Sequence, residues 1–272
     1  MNAKFLVEVE MSNQVRSPMA VTWSVWRALL LRESLDRLFD MRAAWFWLLM
    51  EPVLHISFIT FIFTVIRLRT VGGIDVTVWI VVGMLAFFMF RRTAMQVMHA
   101  ADSNKPLFAY RQVHPFDTYV ARGVLEAFLM TLVSAIILAG AALLGHDVRP
   151  DDPLQVLVAI FGLWLFGVGY GLVASVLMAL VRETEHILKI MMMPLYLISG
   201  VIMPISAVPQ PYRDLLLFNP LVHGLELVRQ GFSDYYHMVS GISMGYLYLW
   251  GVVSLFLGLV LYRRFTQQLV MK

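Results

Sequence analysis

The sequence contains no cysteine, which removes disulfides, thiolate metal ligands and thiol nucleophiles together. Charge is also scarce: Asp, Glu, Lys and Arg make up 14% of 272 residues against 60% for the hydrophobic types, and the mean hydropathy is +0.74. A soluble domain of this length needs a polar shell that so few charges cannot build. No G-x-x-x-x-G-K-[ST] loop and no Gly-Lys dipeptide occur, so a phosphate cradle of that type is excluded, and the zinc-protease spacing H-E-x-x-H is absent too. Lysine appears four times and the net charge is only +3, too little for a nucleic-acid surface. Met1 to Pro18 is polar and mixed in charge, without the apolar core of a secretory signal. The first membrane span is therefore expected to direct insertion.

What the chain has instead is long apolar runs bounded by charge. A bilayer core of about 30 Å takes about 20 residues in helix. Runs near that length predict spans over Ala44 to Ile66, Val76 to Phe90, Tyr119 to Leu144, Leu154 to Val181, Ile187 to Val208 and Gly245 to Tyr262. The second is short and the fifth is interrupted. The expected fold is all-α and polytopic, with six crossings in one transmembrane domain over 44–272, preceded by a cytoplasmic segment over 1–43. Placing the N-terminus in the cytoplasm puts sixteen of the 21 Lys and Arg residues on that side, as the positive-inside rule requires. Both ends are then cytoplasmic and the number of crossings is even. The 15 apolar-rich residues between Arg213 and Arg229 are broken by Asn219-Pro220 and are too short to cross. They predict a re-entrant hairpin over 209–244 on the periplasmic side, allowed only where protein or water covers its backbone.

Residues 21–42 form a two-sided pattern. Plotted at 100° per residue, Trp23, Leu30, Leu31, Leu35, Leu38 and Phe39 fall on one half, and Arg32, Glu33, Asp36, Arg37 and Asp40 on the other. This predicts an amphipathic helix lying on the cytoplasmic leaflet, or one packed on soluble protein.

Few residues offer chemistry. Glu51-Pro52 with His55 is the strongest polar feature inside a span, because positions i and i+4 share a helix face. It marks either a functional site or a helix contact near the headgroups. Glu126 is the other acid within a span. The loop 91–118 carries two short helical patterns separated by Asp102-Ser103-Asn104-Lys105-Pro106 and ends at His114-Pro115, with residues placed to cap the second helix. A structured loop of this kind suits docking to a cytoplasmic partner. Met191, Met192 and Met193 read as adaptable packing, and no metal site is expected. Asp151-Asp152, before Pro153, reads as a helix start. An enzyme acting on lipid-linked sugars would need acids or metal ligands converging outside the hydrocarbon, so no catalytic residue is assigned.

The order and spacing of several pieces resemble a known family, the type-2 ABC exporter permeases, and within it the polysaccharide exporters of capsule and O-antigen systems. The pieces are Arg32-Glu33-Ser34-Leu35-Asp36-Arg37 followed by Trp47-Leu48-Leu49-Met50-Glu51-Pro52, the loop Asn104 to Pro115, and the broken fifth span leading to Phe218-Asn219-Pro220-Leu221 and Glu226-Leu227-Val228-Arg229. The resemblance covers nearly the whole chain, and Glu51-Pro52 with His55 is most similar to the capsule branch. It implies a bacterial inner-membrane permease that moves a lipid-linked, acidic polysaccharide. The permease works as a homodimer with two separate ABC ATPase subunits, which bind ATP and Mg, so that this chain carries no cofactor. Periplasmic and outer-membrane export proteins would receive the glycan. O-antigen, teichoic acid or a small lipophilic compound is the alternative cargo. The resemblance further implies that the amphipathic helix and Asn104, Lys105, Phe108, Tyr110 and Pro115 grip the ATPase. Asn219, Pro220, Glu226 and Arg229 would belong to an outer gate, and the first and fifth spans would line the conduit with Trp45, Trp47, Glu51, His55 and Tyr196. Trp45 and Trp47 point about 200° apart on a helix. Trp47 is the better conduit candidate, because Glu51 and His55 follow it at i+4 steps. Phe116-Asp117 departs from the family pattern, where relatives continue with apolar residues.

Overall fold

The computed structural model describes residues 17–39, 43–66 and 70–271. The polar N-terminus before residue 17, Asp40 of the amphipathic pattern and Lys272 lie outside the described residues. The chain folds as an all-helical, multi-pass membrane protein in which five helices are long and apolar enough to cross a bilayer. Helix α1 (Pro18–Phe39) precedes the first of these, α2 (Ala44–Val65). A two-residue hairpin, β1 (Thr70–Val71) with β2 (Ile74–Asp75), then turns through Gly72 and Gly73, both at positive φ. Helix α3 (Val76–Met98) follows, capped by the Asp75 carboxylate, which accepts from the Thr77 and Val78 amides. Short α4 (Ala100–Ser103) and a 3-10 turn (Lys105–Ala109) lead to α5 (Pro115–Leu143), then α6 (Pro153–Leu180) and α7 (Thr184–Ile198). After a 3-10 turn at Ile205–Ala207 come the short helices α8 (Tyr212–Leu216) and α9 (Pro220–Phe232), and finally α10 (Met244–Met271).

Helix α3 is the core of the bundle, with Trp79, Met84, Phe87 and Phe90 fully buried. It packs closely on α6 because glycines there remove the side chains that would separate the backbones. A Cβ at Gly171 would come within 2.6 Å of the Ala94 carbonyl oxygen, and one at Gly167 within 2.9 Å of that of Phe90. Small residues at such crossings are a regular device of membrane helices. Helix α6 also packs along α10. Helix α2 is the most open of the long helices, with 11% of its apolar window buried. One end of the bundle gathers α1, the segment 99–114 and the C-terminal turns of α3, α6 and α10. The other gathers the β hairpin and residues 199–243.

Three boundaries differ from the sequence expectation. The second span does not stop at Phe90, and the loop expected from Arg91 starts only after Met98. Arg92 stays helical because carboxylates of α2 and α5 pair with it. The expected fifth span, Ile187 to Val208, is helical only to Ile198. Its 15 residues reach about 22 Å at 1.5 Å per residue, and Gly200 at φ +75° turns the chain away. The backbone beyond, around Ser199, Val201 and Ile205, is buried in protein. Asn104 does not cap the turn that follows it, since its side chain is engaged elsewhere.

Candidate functional site

Two sets of polar residues lie toward opposite ends of the bundle, and a groove runs along α2. The first begins at α1. One side of it faces the protein: Trp26 donates from Nε1 to Asp117 Oδ1 at 2.8 Å, and Glu33 accepts from Arg122 Nε at 3.0 Å. Glu33 is buried, while Arg32 and Asp36 of the charged half stay exposed. Trp23, Leu31, Leu35 and Phe39 are left outside, each more than half exposed, as a lipid-facing stripe requires. Asn104, buried, donates to Glu33 Oε1 at 2.7 Å and to the Ala100 carbonyl at 2.9 Å, and accepts from Arg32 at 3.2 Å. The loop expected to dock a partner is therefore tied to α1 by hydrogen bonds to both Arg32 and Glu33.

From α1 the pairing continues into the bundle. Glu126, fully buried on α5, accepts from Arg37 at 3.3 Å and from Arg92 Nε at 2.8 Å. Arg37 also binds Gln96, and Arg92 reaches Glu51 on α2 at 3.6 Å. Three carboxylates, Glu33, Glu51 and Glu126, thus meet three guanidiniums, Arg37, Arg92 and Arg122, with the charges balanced. The buried members are tolerated on this condition, while Glu51 is 69% exposed. Sequence reading flagged Glu51 and Glu126 because acids in apolar runs are rare. It could not find their partners, which come from other helices. Asp117, where the sequence departs from the family pattern, closes a capping box with His114 by accepting its amide at 2.9 Å, while binding Trp26.

The rest of the loop is mixed. Phe108 is half-buried against the cluster around Leu172 and Val176, Tyr110 is 66% exposed, and Pro115 starts α5. Lys105 pairs with Asp102. Beside them a small cavity of about 190 Å³ opens between Asp102, Lys105, Arg182, Glu185 and Gln268. Burial holds His99, which faces Glu185 at 3.8 Å, below the ordinary histidine pKa.

The groove runs along α2, between it and α3 at the loop end and between it and α7 beyond His55. His55 and Tyr196 meet across it, Nε2 to OH at 3.3 Å with ring centroids 5.8 Å apart. Toward the loop end, Glu51, Pro52, His55, Phe88 and Arg91 enclose about 200 Å³. Beyond His55 the groove widens to about 780 Å³ between Ile59, Ile190, Met193 and Leu197, with Arg91 also on its wall. The structure therefore brings together Glu51, His55 and Tyr196. Trp45 and Trp47 do not line either chamber, and both are 58% exposed, so exposure does not separate one from the other.

At the opposite end, Asn219 caps α9 by accepting the Leu221 amide at 3.1 Å, Pro220 occupies the first turn, and the Asn219 amide donates to Ser199 at 2.9 Å. Arg229 is fully buried, and its guanidinium donates to the carbonyls of Gly200 (2.9 Å) and Val201 (3.1 Å) and to Glu226 (3.3 Å). It also stacks 3.6 Å from the centre of the Trp79 ring, a favourable cation–π placement. Tyr236 donates to Glu226 at 2.9 Å. The carbonyls exposed by the early end of α7 are thus satisfied by one arginine, as buried backbone demands. Trp79, Tyr236 and Gly83 escaped the sequence reading. Gly83 is legible only in three dimensions, since a Cβ there would stand 2.2 Å from Arg229 Nη2. Gly241-Ile242-Ser243-Met244-Gly245 fits the G-x-S-x-G spacing of serine hydrolases. Ser243, however, sits at the start of α10, where its Oγ accepts the Tyr246 amide at 3.3 Å. That is not the strand-to-helix elbow such a nucleophile needs.

Long apolar helices, a groove lined by a few polar groups and an ion-paired frame leading to it define the class of membrane permeases. The sequence profile of the ABC-2 type transporter family matches residues 24–233, and the chain belongs to that family. It is 34% identical to the polysialic acid transport protein KpsM of Escherichia coli, over 87% of this chain and 91% of that one. It is 28% identical to the capsule polysaccharide export inner-membrane protein CtrC of Neisseria meningitidis, over 88% and 90%. With BexB of Haemophilus influenzae, of the same description, it shares 26% over 93% and 95%.

Proposed function

We propose that the chain is the membrane-spanning permease subunit of an ABC exporter that carries a lipid-linked, acidic capsular polysaccharide across the bacterial inner membrane. ATP is hydrolysed by a separate ATPase subunit, which also holds ATP and Mg, and the chain is not an enzyme. The observation that carries this reading is the ion-paired path from Asn104 and α1 through Glu126 and Arg92 to Glu51 at the lip of the groove. Motion of a docked ATPase has a contiguous route to the substrate path, and the names of the three relatives supply the cargo class.

In this reading α1 lies in the inner leaflet with Trp23, Leu31, Leu35 and Phe39 in lipid. Asn104, Lys105, Phe108, Tyr110 and Pro115 contact the ATPase, and both termini are cytoplasmic. The chain crosses six times, α7 with the buried segment after it making the fifth crossing, and 209–244 is a re-entrant gate held by Asn219, Pro220, Glu226 and Arg229. Two copies pair, with α2 and α7 of each along the conduit and Trp47, Glu51, His55 and Tyr196 facing it. The glycan then passes to periplasmic and outer-membrane export proteins. The test is reconstitution of the chain with its ATPase in vesicles loaded with lipid-linked polysaccharide. ATP-dependent appearance of glycan on the far side is expected, and its absence in a complex that still hydrolyses ATP refutes the cargo assignment.

A further inference from the structure

Asp117 and Arg263 line one groove without being paired to each other. The groove lies between the first turn of α5 and the C-terminal part of α10 and encloses about 530 Å³. Its charged and polar lining includes His114, Asp117 and Arg263, beside an apolar wall of Phe256, Leu259 and Val260. It shares no residue with the groove along α2. Phe256 is 69% exposed, on a helix whose apolar window is only 17% buried, so this wall is open to the bilayer. The apolar run of α10 ends at Tyr262, which puts Arg263 at the level of the head groups. Asp117 is buried, and its carboxylate accepts from two neutral donors, the Trp26 indole at 2.8 Å and the His114 amide at 2.9 Å. Neither Asp117 nor Arg263 has an ion-pair partner among the described residues. Neutral donors occupy lone pairs but leave the buried charge uncompensated, which is unfavourable.

A carboxylate and a guanidinium that line one groove without pairing select a ligand that carries both signs. A guanidinium matches a phosphate with paired, charge-assisted hydrogen bonds, and a primary ammonium donates to a carboxylate. An apolar wall open to lipid takes an acyl chain. We infer that this groove binds phosphatidylethanolamine from the leaflet at the 99–114 end of the bundle. Its phosphate sits on Arg263, its ammonium on Asp117, and an acyl chain runs along Phe256, Leu259 and Val260. A choline head has no N–H to give Asp117, and a head that is only anionic sets its charge against that carboxylate. The lipid is a resident of the protein's flank and not its cargo. It joins α10 to α5 and, because Asp117 also holds Trp26, to α1.

The experiment uses the full chain purified with its ATPase and equilibrated with equal amounts of phosphatidylethanolamine, phosphatidylcholine and phosphatidylglycerol. Native mass spectrometry then counts the lipids that stay bound. The wild type is expected to retain phosphatidylethanolamine over phosphatidylcholine by about tenfold, the scale of one charge-assisted contact. Asp117→Asn should bring that ratio toward one. Arg263→Gln should lower retention of both lipids together and leave their ratio in place. Arg264→Gln, the same charge loss at a residue that does not line the groove, should change nothing. Asp117 also caps α5; if its variant fails to assemble, the wild-type ratio and Arg263→Gln decide the matter. Equal retention of phosphatidylethanolamine and phosphatidylcholine by the wild type overturns the proposal, as does unchanged retention in Arg263→Gln or an unchanged ratio in an assembled Asp117→Asn. A preference for phosphatidylglycerol would make this a bare anion site and overturns it too. Because the chain has no cysteine, Phe256→Cys reports the remaining occupant: disulfide-linked dimers in membranes would mean that a second copy covers the groove, and the lipid site fails.

Discussion

At the residue scale, Glu126 decides how the charges inside the bundle are arranged. Its carboxylate is buried between Arg37 of α1 and Arg92 of α3, and it is the only buried carboxylate that either arginine pairs with among the described residues. Removing one member of a buried pair leaves the others uncompensated, a loss of about 3–5 kcal/mol in comparable cases. Glu126→Gln is therefore expected to lower the melting temperature of the purified permease sharply. Thermal unfolding in detergent checks this, and adding Arg37→Gln should restore part of the loss by removing one stranded cation. If the single variant melts as the wild type does, the network is a surface arrangement with little energetic weight.

At the element scale, the informative pieces are those that depart from regular spans. Helix α7 ends early because Gly200 turns the chain and Arg229 accepts responsibility for the freed carbonyls. The following helices α8 and α9 number 5 and 13 residues, each too short to cross. Because the chain has no cysteine, single cysteines report topology without background. Replacements at Asp102 and Lys272 are expected to be shielded from an impermeant thiol reagent in intact cells, and those at Arg213 and Gly241 to react from outside. Opposite labelling of the Arg213 and Gly241 sites would mean that this segment crosses fully. The segment 99–114 carries a second expectation. Phe108 packs inward while Tyr110 projects outward, so the double change Phe108→Ala, Tyr110→Ala should release the ATPase subunit while insertion persists. Normal export with the ATPase still bound would move the docking surface elsewhere.

At the scale of the whole molecule, much was legible in the sequence, and for a definite reason. Apolar length and charge scarcity are properties of the chain itself, and lipid leaves a chain of that composition with few alternatives to long helices. The spans from Ala44, Val76, Tyr119, Leu154 and Gly245 all appear as helices within a few residues of their expected starts. The amphipathic pattern of 21–42 and the exclusion of a phosphate-binding loop are equally local, and the family resemblance followed from the order of short segments. What tertiary structure decided was pairing. Arg32 finds Asn104 across 72 positions, Glu33 finds Arg122 across 89 and Trp79 finds Tyr236 across 157. Nothing in a local window tells Arg91 from Arg92, yet one pairs with two carboxylates while the other lines the groove with no ion pair among the described residues. Likewise α1 turns Glu33 and Arg37 inward, because their partners lie on α3, α5 and in the 99–114 segment, while Arg32 and Asp36 of the same half stay exposed. Periodicity determines which residues share a face; only the packed neighbours determine what that face meets.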